Sequence, residues 1–405
     1  MAADVRPTKD LDEFKAAIGA IFHYFGGGLD DERSNRFSKL LPFERMHAAF
    51  DGERIVGGAG VFPFQMTIPG GAVACAGVTV VGVLPTNRRR GILTAMMRAQ
   101  LEDVRDRGEP IAALWASEEV IYRRFGYGLA SLAGEIAIPS GYNKLRQAAD
   151  ERASSRLIPL EDAKAVVQPV YDRVCATTPG MFHRSDLWWE FRSLADPPDR
   201  RQGGGEKNVL VLELDGEPVG YAIYRVFSKF EGGSAAGHIA VIEALADGPT
   251  ATRELWRVLL DMDWLAEIRA DLMPIDHPLL HQLTYPRRMQ MRVGDGLWVR
   301  LVDIGAALSA RGYGAEGTVV FEVEDAFLPD NAGRWKLSDG AAKRTDEPAD
   351  LALDVGELAS PYLGGFSFTE LVHAGMIREL TEGGAARADA IFATSAPKPW
   401  CPEIF

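Results

Sequence analysis

The chain has 405 residues, with 44 Lys+Arg against 57 Asp+Glu, a formal charge of −13 and three cysteines. At 47% hydrophobic and 25% charged residues it has the make-up of an ordinary folded protein, which excludes disordered, collagen-like and disulfide-stapled classes. No apolar run approaches the roughly 18–20 residues that span a bilayer, and the acidic balance argues against nucleic acid as a partner.

Domains hold roughly 100–200 residues, so this length implies two to four of them. The start, MAADVRPTKDLDEF, lacks a charged-then-apolar signal layout, which points to the cytoplasm and to no membrane association. Cys75, Cys175 and Cys401 lie far apart with no CxxC, and the pair His277/His281 is interrupted by Pro278. No metal site is expected.

In chain order, alternating or apolar runs at 46–51, 55–68 and 72–83 predict strands. A helix is predicted over 91–107 from Leu93, Met97, Leu101 and Val104, stopped by Gly108 and Pro110. Ile111 to Ala116 reads as a buried strand, and Ser117 is expected to cap the helix after it. Strands buried on both faces and alternating with helices predict an α/β sheet covered by helices. A polar stretch at 140–156 is the expected first linker. After a helical stretch come strands at 209–214 and 219–226 around an Asp215-Gly216 turn, then a helix through Leu255 and Leu265. A third segment begins near Gly296, with strands around 318–324 and 334–338 and helices near 354–360 and 367–376. The expected domains are therefore 1–145, 146–293 and 294–405.

One stretch carries chemistry most directly. Val81-Gly82-Val83-Leu84-Pro85-Thr86-Asn87-Arg88-Arg89-Arg90-Gly91-Ile92-Leu93-Thr94 runs from a strand through a loop into a helix. The first amides of a helix lack internal acceptors and carry the positive end of its dipole, which suits a pyrophosphate. Gly91 lets an anion approach the backbone, and Gly82 marks a close approach of ligand or backbone to the strand. On spacing alone a solvated turn fits as well; the strand-before, helix-after context favours the phosphate site. In the next such segment, Ser117 to Gly128, Tyr122 is a phenol with an ordinary pKa near 10, able to donate to a leaving thiolate. A half-buried amphipathic side chain is the plain alternative for it.

These residues resemble the GNAT superfamily of acetyl-CoA-dependent N-acetyltransferases. Arg88-x-x-Gly91-x-Leu93 is similar to its pyrophosphate loop, with Leu93 in place of the usual small residue, and Ile121-Tyr122-Arg123-Arg124-Phe125-Gly126-Tyr127 matches the following segment. More narrowly, the chain resembles the enhanced intracellular survival (Eis) family. Gly294 to Arg300, Ala310 to Tyr313, Ser360 to Gly364 and the final Phe405 extend the likeness through nearly the whole length.

That resemblance implies an α/β (α+β) architecture of tandem GNAT-like domains followed by a sterol-carrier-protein-like C-terminal domain. It implies acetyl-CoA as co-substrate, contacted by Val81, Gly82, Val83, Arg89, Arg90, Gly91, Ile92, Leu93, Thr94, Ser117 and Glu118. It implies Tyr122, not Tyr127, as general acid and the C-terminal carboxylate of Phe405 as general base. It further implies a homo-hexamer and a small-molecule amine acceptor, aminoglycosides above all. Protein lysines or polyamines are the alternative acceptors; a ligand-binding protein with a vestigial transferase site is the alternative class.

The substrate positions depart from the family. Tyr24 stands where aminoglycoside-acetylating members carry an Asp, Phe37 where they carry a Trp, and Ile404 where they carry a Glu. Asp30, Asp31 and Glu403 are the acids that can compensate. The second GNAT-like segment has Ala246-Asp247-Gly248-Pro249-Thr250 in place of the arginine-rich loop, so it is expected not to bind CoA. Gly312-Tyr313-Gly314-Ala315-Glu316-Gly317 spells GxGxxG but follows a helix and precedes a strand, and so predicts a tight connection.

Overall fold

The computed structural model describes residues 4–26 and 31–405. Among these the strands form two seven-stranded sheets, one five-stranded sheet and a short hairpin. By contact density the chain divides into two units: 1–131 with 297–396 and 404–405, and 132–296 with 397–403.

In the first unit, β1 (Asp4–Pro7) leads into α1 (Leu11–Phe22), whose N-cap Asp10 accepts from the Glu13 amide. α2 (Asp31–Leu40), β2 (Met46–Asp51), β3 (Arg54–Ile68) and β4 (Gly71–Val83) follow, then α3 (Ile92–Asp106), β5 (Ile111–Trp115), α4 (Glu119–Tyr122) and β6 (Gly128–Leu129). The alternation-based strands and the periodic helix over 91–107 fall within a residue of these bounds. The helix after β5 does not match expectation. It is a single α-turn with Glu118 as N-cap and no side-chain cap bond, so Ser117 does not cap it.

The second unit holds β7 (Leu132–Pro139), β8 (Ala153–Ile158), α5 (Ala163–Cys175), the one-turn α6 (Asp186–Trp188), β9 (Lys207–Leu214) and β10 (Glu217–Phe227). Next come the hairpin β11 (Phe230–Glu231) and β12 (Ser234–Ala235), β13 (His238–Ala246), α7 (Pro249–Leu260), β14 (Glu267–Met273), the single-turn α8 (Leu279–Gln282) and β15 (Arg292–Asp295). The sheet order is β15-β7-β14-β13-β10-β9-β8. Residues 132–139, assigned by sequence to the first domain, therefore pair in this sheet.

The chain then returns to the first unit. β16 (Leu297–Leu301) inserts between β5 and β6, antiparallel to both, giving the order β1-β2-β3-β4-β5-β16-β6. The same unit carries α9 (Ile304–Ala310), β17 (Thr318–Glu324), β18 (Gly333–Ser338), β19 (Ala341–Arg344), β20 (Leu351–Asp354), α10 (Val355–Ala359), α11 (Phe368–His373), β21 (Arg378–Glu379) and α12 (Gly384–Phe392). Phe321, Phe368 and Phe392 form its aromatic core. The glycine run at 312–317 connects α9 to β17. A Cβ on Gly70 would sit 2.6 Å from the Gly312 Cα, so this is a backbone-on-backbone contact with the β3–β4 turn.

Candidate active site

The site begins with a local irregularity in β4. Its pairing with β3 slips by one residue between Gly58 and Gly60, and Val80 sits in the left-handed region at φ 47°. This is a β-bulge, which bends a strand and reverses which side each later residue faces. Before it, Ala76 and Val78 pack with Met97 and Leu101 of α3. After it, Val81 and Val83 pack with Ile92 and Met96. Gly82 faces α1 instead: a Cβ there would lie 2.8 Å from the Cα of Ile21, so glycine is required by an approaching backbone.

β4 and β5 pair in parallel only from Cys75–Gly77 to Ile111–Ala113. Beyond that point both strands continue without pairing to each other. Their free edges expose backbone N–H and C=O groups to whatever enters the gap, as ligands do at strand ends of open α/β sheets.

The loop that follows β4 is braced. Arg90 forms an ion pair with Asp51 at 2.8 Å, and the Asn87 amide donates to the same carboxylate at 3.1 Å. The Asp51 carboxyl is held below its ordinary pKa by that guanidinium. Arg88 and Arg89 are exposed and have no ion pair among the described residues. Arg89 adopts φ 61°, a conformation costing a non-glycine residue about 1–2 kcal/mol and concentrated at ligand-binding loops. Gly91 is the N-cap of α3 at φ 80°, with no side-chain cap bond. A Cβ on Gly91 would meet no protein atom, so its backbone conformation is what demands glycine. The Leu93 side chain packs against the apolar clusters beneath α3, which accounts for a large residue at that position.

Tyr122 ends α4 and is 6% exposed, packed with Leu114, Met97 and Phe125 on the α3 face. Burial pushes its phenol up to about 12. Among the described residues its hydroxyl has no hydrogen-bond partner, and its ring meets Tyr127 edge-on at 5.9 Å. Tyr127 is 1% exposed and, among the described residues, its hydroxyl is sealed in without a partner, with its pKa driven further upward by burial. Ser117 and Glu118 are exposed at the β5 end.

The opposite face is aromatic. A Cβ on Gly77 would fall 2.3 Å from the Phe64 ring, so that ring lies over the last β4 residue paired to β5. Phe405 packs edge-on against Phe64 at 5.0 Å and is buried. Phe62 stacks beside Phe64 at 5.5 Å, and Phe37 of α2 meets Phe62 at 5.6 Å. The chain end is thereby seated at the point where β4 and β5 diverge, across the sheet from Tyr122.

The expected acceptor residues split. Phe37 joins the aromatic row and Ile404 is 54% exposed beside Phe405. Tyr24 donates its hydroxyl to the Val83 carbonyl at 2.7 Å, bracing the end of β4, and its ring is exposed. Asp31 is paired with Lys15 at 2.6 Å. Glu403 belongs to the second unit, and Asp30 lies outside the described residues. The sequence reading missed the bulge, the Asp51 brace and the Phe62–Phe64 floor. The run Phe62-Pro63-Phe64 opposite Gly77 was the available signal for the last of these.

Comparison with known proteins identifies the family and the fold. Residues 4–130 and 180–301 match acetyltransferase (GNAT) domain families, and 304–402 match a sterol carrier protein domain. The chain is 33% identical over 385 residues to the N-acetyltransferase Eis of Mycobacterium tuberculosis, covering 90% of this chain and 91% of that protein. It belongs to the Eis family of N-acetyltransferases. A Streptomyces avermitilis N-acetyltransferase is 41% identical over 413 residues, with both chains fully covered. The crystal structure of Eis1 from Mycobacterium abscessus superposes with a TM-score of 0.84 at 33% identity, again over the full length of both chains. The protein is thus an N-acetyltransferase with two GNAT domains and a sterol-carrier-type domain. Among the described residues no helix is long and apolar enough to cross a membrane, and no cluster of His, Cys, Asp or Glu is suited to a metal.

Proposed function

We propose that the Eis-family chain transfers an acetyl group from acetyl-CoA to a primary amine by direct attack, with an aminoglycoside or related polyamine as acceptor. The observation that carries this is the splay of β4 and β5 beyond Gly77 and Ala113, with Tyr122 on one face and the Phe405 chain end on the other. An acetyl group held in that gap is open to an amine from the aromatic face, while the sulfur departs toward α3 and α4.

Backbone groups of Val81, Gly82 and Val83 would hold the pantetheine arm along the free edge. The amides of Arg89 to Thr94 would hold the pyrophosphate, with Arg89 adding charge and Ser117 and Glu118 lining the β5 side. The Phe405 carboxylate takes the proton from the ammonium, directly or through a water. Tyr122 acts on the leaving thiolate. With its pKa at about 12, full proton transfer to a thiolate of ordinary basicity near 8.5 runs uphill by about 5 kcal/mol. Its contribution is therefore chiefly a charge-assisted hydrogen bond in a desolvated site. No covalent enzyme intermediate is needed.

The second GNAT domain is proposed not to bind CoA. Its α7 starts with Pro249, which lacks an amide proton, behind Asp247, which is already paired with Arg173 at 2.9 Å. Cytoplasmic location and assembly as a homo-hexamer remain part of the proposal, the latter checked by sedimentation. A second reading, a less highly charged amine acceptor, is favoured by the aromatic row and by Tyr24 and Ile404 being uncharged. The experiment is CoA release across a panel of aminoglycosides, polyamines, arylalkylamines and lysine peptides, with acetyl groups counted by mass spectrometry. Amine-dependent turnover on none of them, together with no acetyl-CoA binding by calorimetry, would overturn the transferase reading.

A further inference from the structure

The forked strands of the first GNAT domain give the donor subsite an end as well as an entrance. β4 runs from Gly77, the last residue paired to β5, through Val81–Val83 toward the loop at Arg88–Gly91. A pyrophosphate on that loop and an arm along Val81–Val83 leave the acyl end toward the apex of the fork, at Gly77 and Ala113. The carbon chain of an acyl thioester points away from its sulfur, so each added methylene runs further into the apex.

The apex is closed on both faces of the sheet. On the α3 side, Ala76, Val78 and Leu114 are buried in one cluster with Met97 and Leu101. On the other side, Phe62 is the β3 partner of Gly77 and Phe64 the partner of Cys75, so all four positions share a face. Phe64 leans onto its diagonal neighbour, and a Cβ on Gly77 would overlap two atoms of its ring. Glycine at 77 is therefore what lets an aromatic ring occupy the apex. The ring is buried there, stacked on Phe62 at 5.5 Å and met edge-on by Phe405 at 5.0 Å. In a close-packed wall of this kind an extra methylene must displace a ring.

We infer that Phe64 sets the length of the acyl group that the enzyme transfers, admitting acetyl and excluding butanoyl and longer straight chains. This rests on the reading of the β4–β5 gap as the acetyl-CoA site. The reaction is otherwise the same for every donor: the amine nitrogen bonds to the acyl carbon, the carbon–sulfur bond breaks, CoA leaves as the thiol and the ammonium proton passes to the base.

The test compares acetyl-, butanoyl- and hexanoyl-CoA on the full-length enzyme with one amine that it acetylates, reading kcat/KM from CoA release and Kd from calorimetry. Wild type should use butanoyl-CoA about a hundredfold less efficiently than acetyl-CoA and bind it about tenfold more weakly, as a closed apolar pocket does with added methylenes. Phe64→Ala should shrink both ratios about tenfold, with Kd for CoA itself, which carries no acyl chain, within about twofold of wild type. Loss of the ring beneath Phe405 slows turnover with every donor alike, so the donor ratio reports the apex and not general damage. Should Phe64→Ala fail to fold, Phe64→Leu keeps an apolar side chain without the ring edge and should shrink the ratios about threefold. Wild type that uses and binds butanoyl-CoA as well as acetyl-CoA, or folded variants with the wild-type donor ratio, overturns the Phe64 assignment and leaves the transferase reading standing. Wild type that neither binds nor turns over acetyl-CoA overturns that reading, and this inference with it.

Discussion

Removing the Tyr122 hydroxyl separates structural from chemical roles cleanly. Among the described residues that hydroxyl bonds to no protein group, while the ring is packed against Tyr127 and the α3-face cluster. Tyr122→Phe keeps the ring and leaves no buried partner orphaned, so its stability cost should stay below about 1 kcal/mol. In a domain of 150–250 residues that is a shift of at most about 2–4 °C in Tm. A hydrogen bond to a developing thiolate contributes about 1.5–3 kcal/mol, or roughly 10- to 150-fold in rate. The expected result is a kcat loss in that range under saturating substrates, with acetyl-CoA Kd by calorimetry within twofold of wild type. Because the phenol sits at about 12, no pH dependence between 6 and 9 should be lost with it. A kcat within twofold of wild type refutes the assignment. So does a matching loss of acetyl-CoA affinity, which would make Tyr122 a binding residue.

Gly91→Ala places a Cβ where φ is 80° and nothing is crowded, so the strain is about 1–2 kcal/mol of backbone energy alone. It should weaken acetyl-CoA binding about tenfold while sparing the amine KM, measured by calorimetry and steady-state kinetics. Buried His277, whose Nδ1 accepts from the Leu279 amide at 3.1 Å, has its pKa pushed down to about 3 by desolvation. Its folded pKa lies below the unfolded value near 6.5, so the unfolded chain binds the proton first and stability falls as pH drops from 6.5 toward 3. By pH 5 the loss should reach about 2 kcal/mol, and His277→Gln should flatten the Tm-versus-pH curve between 7 and 5; an unchanged slope would count against it.

Local pattern made the first sheet legible. β2, β3 and β4 alternate, α3 is periodic, and Arg88 to Gly91 sit between strand and helix, where an anion loop belongs. Long-range pairing was not legible. β16 lies more than 180 residues from β5 in sequence yet completes its sheet, and β7 leaves the first domain without any polar linker to announce it. The bulge at Val80 depends on a one-residue register slip that neither strand encodes alone. Ser117 looked like a cap, but the helix after β5 closes after one α-turn. Glu403 illustrates the largest gap: its sequence neighbours are apolar and proline-rich, while its partners are Trp188, Ser193 and Arg184, some 210 residues away.

The most direct test of the mechanism is the addition of one glycine after Phe405. The side chains are unchanged, and a carboxylate at that position becomes a neutral amide with the new charge displaced by one residue. The account predicts a kcat loss of about a hundredfold or more, with acetyl-CoA binding and Tm unaltered. Full turnover by the extended enzyme would contradict it.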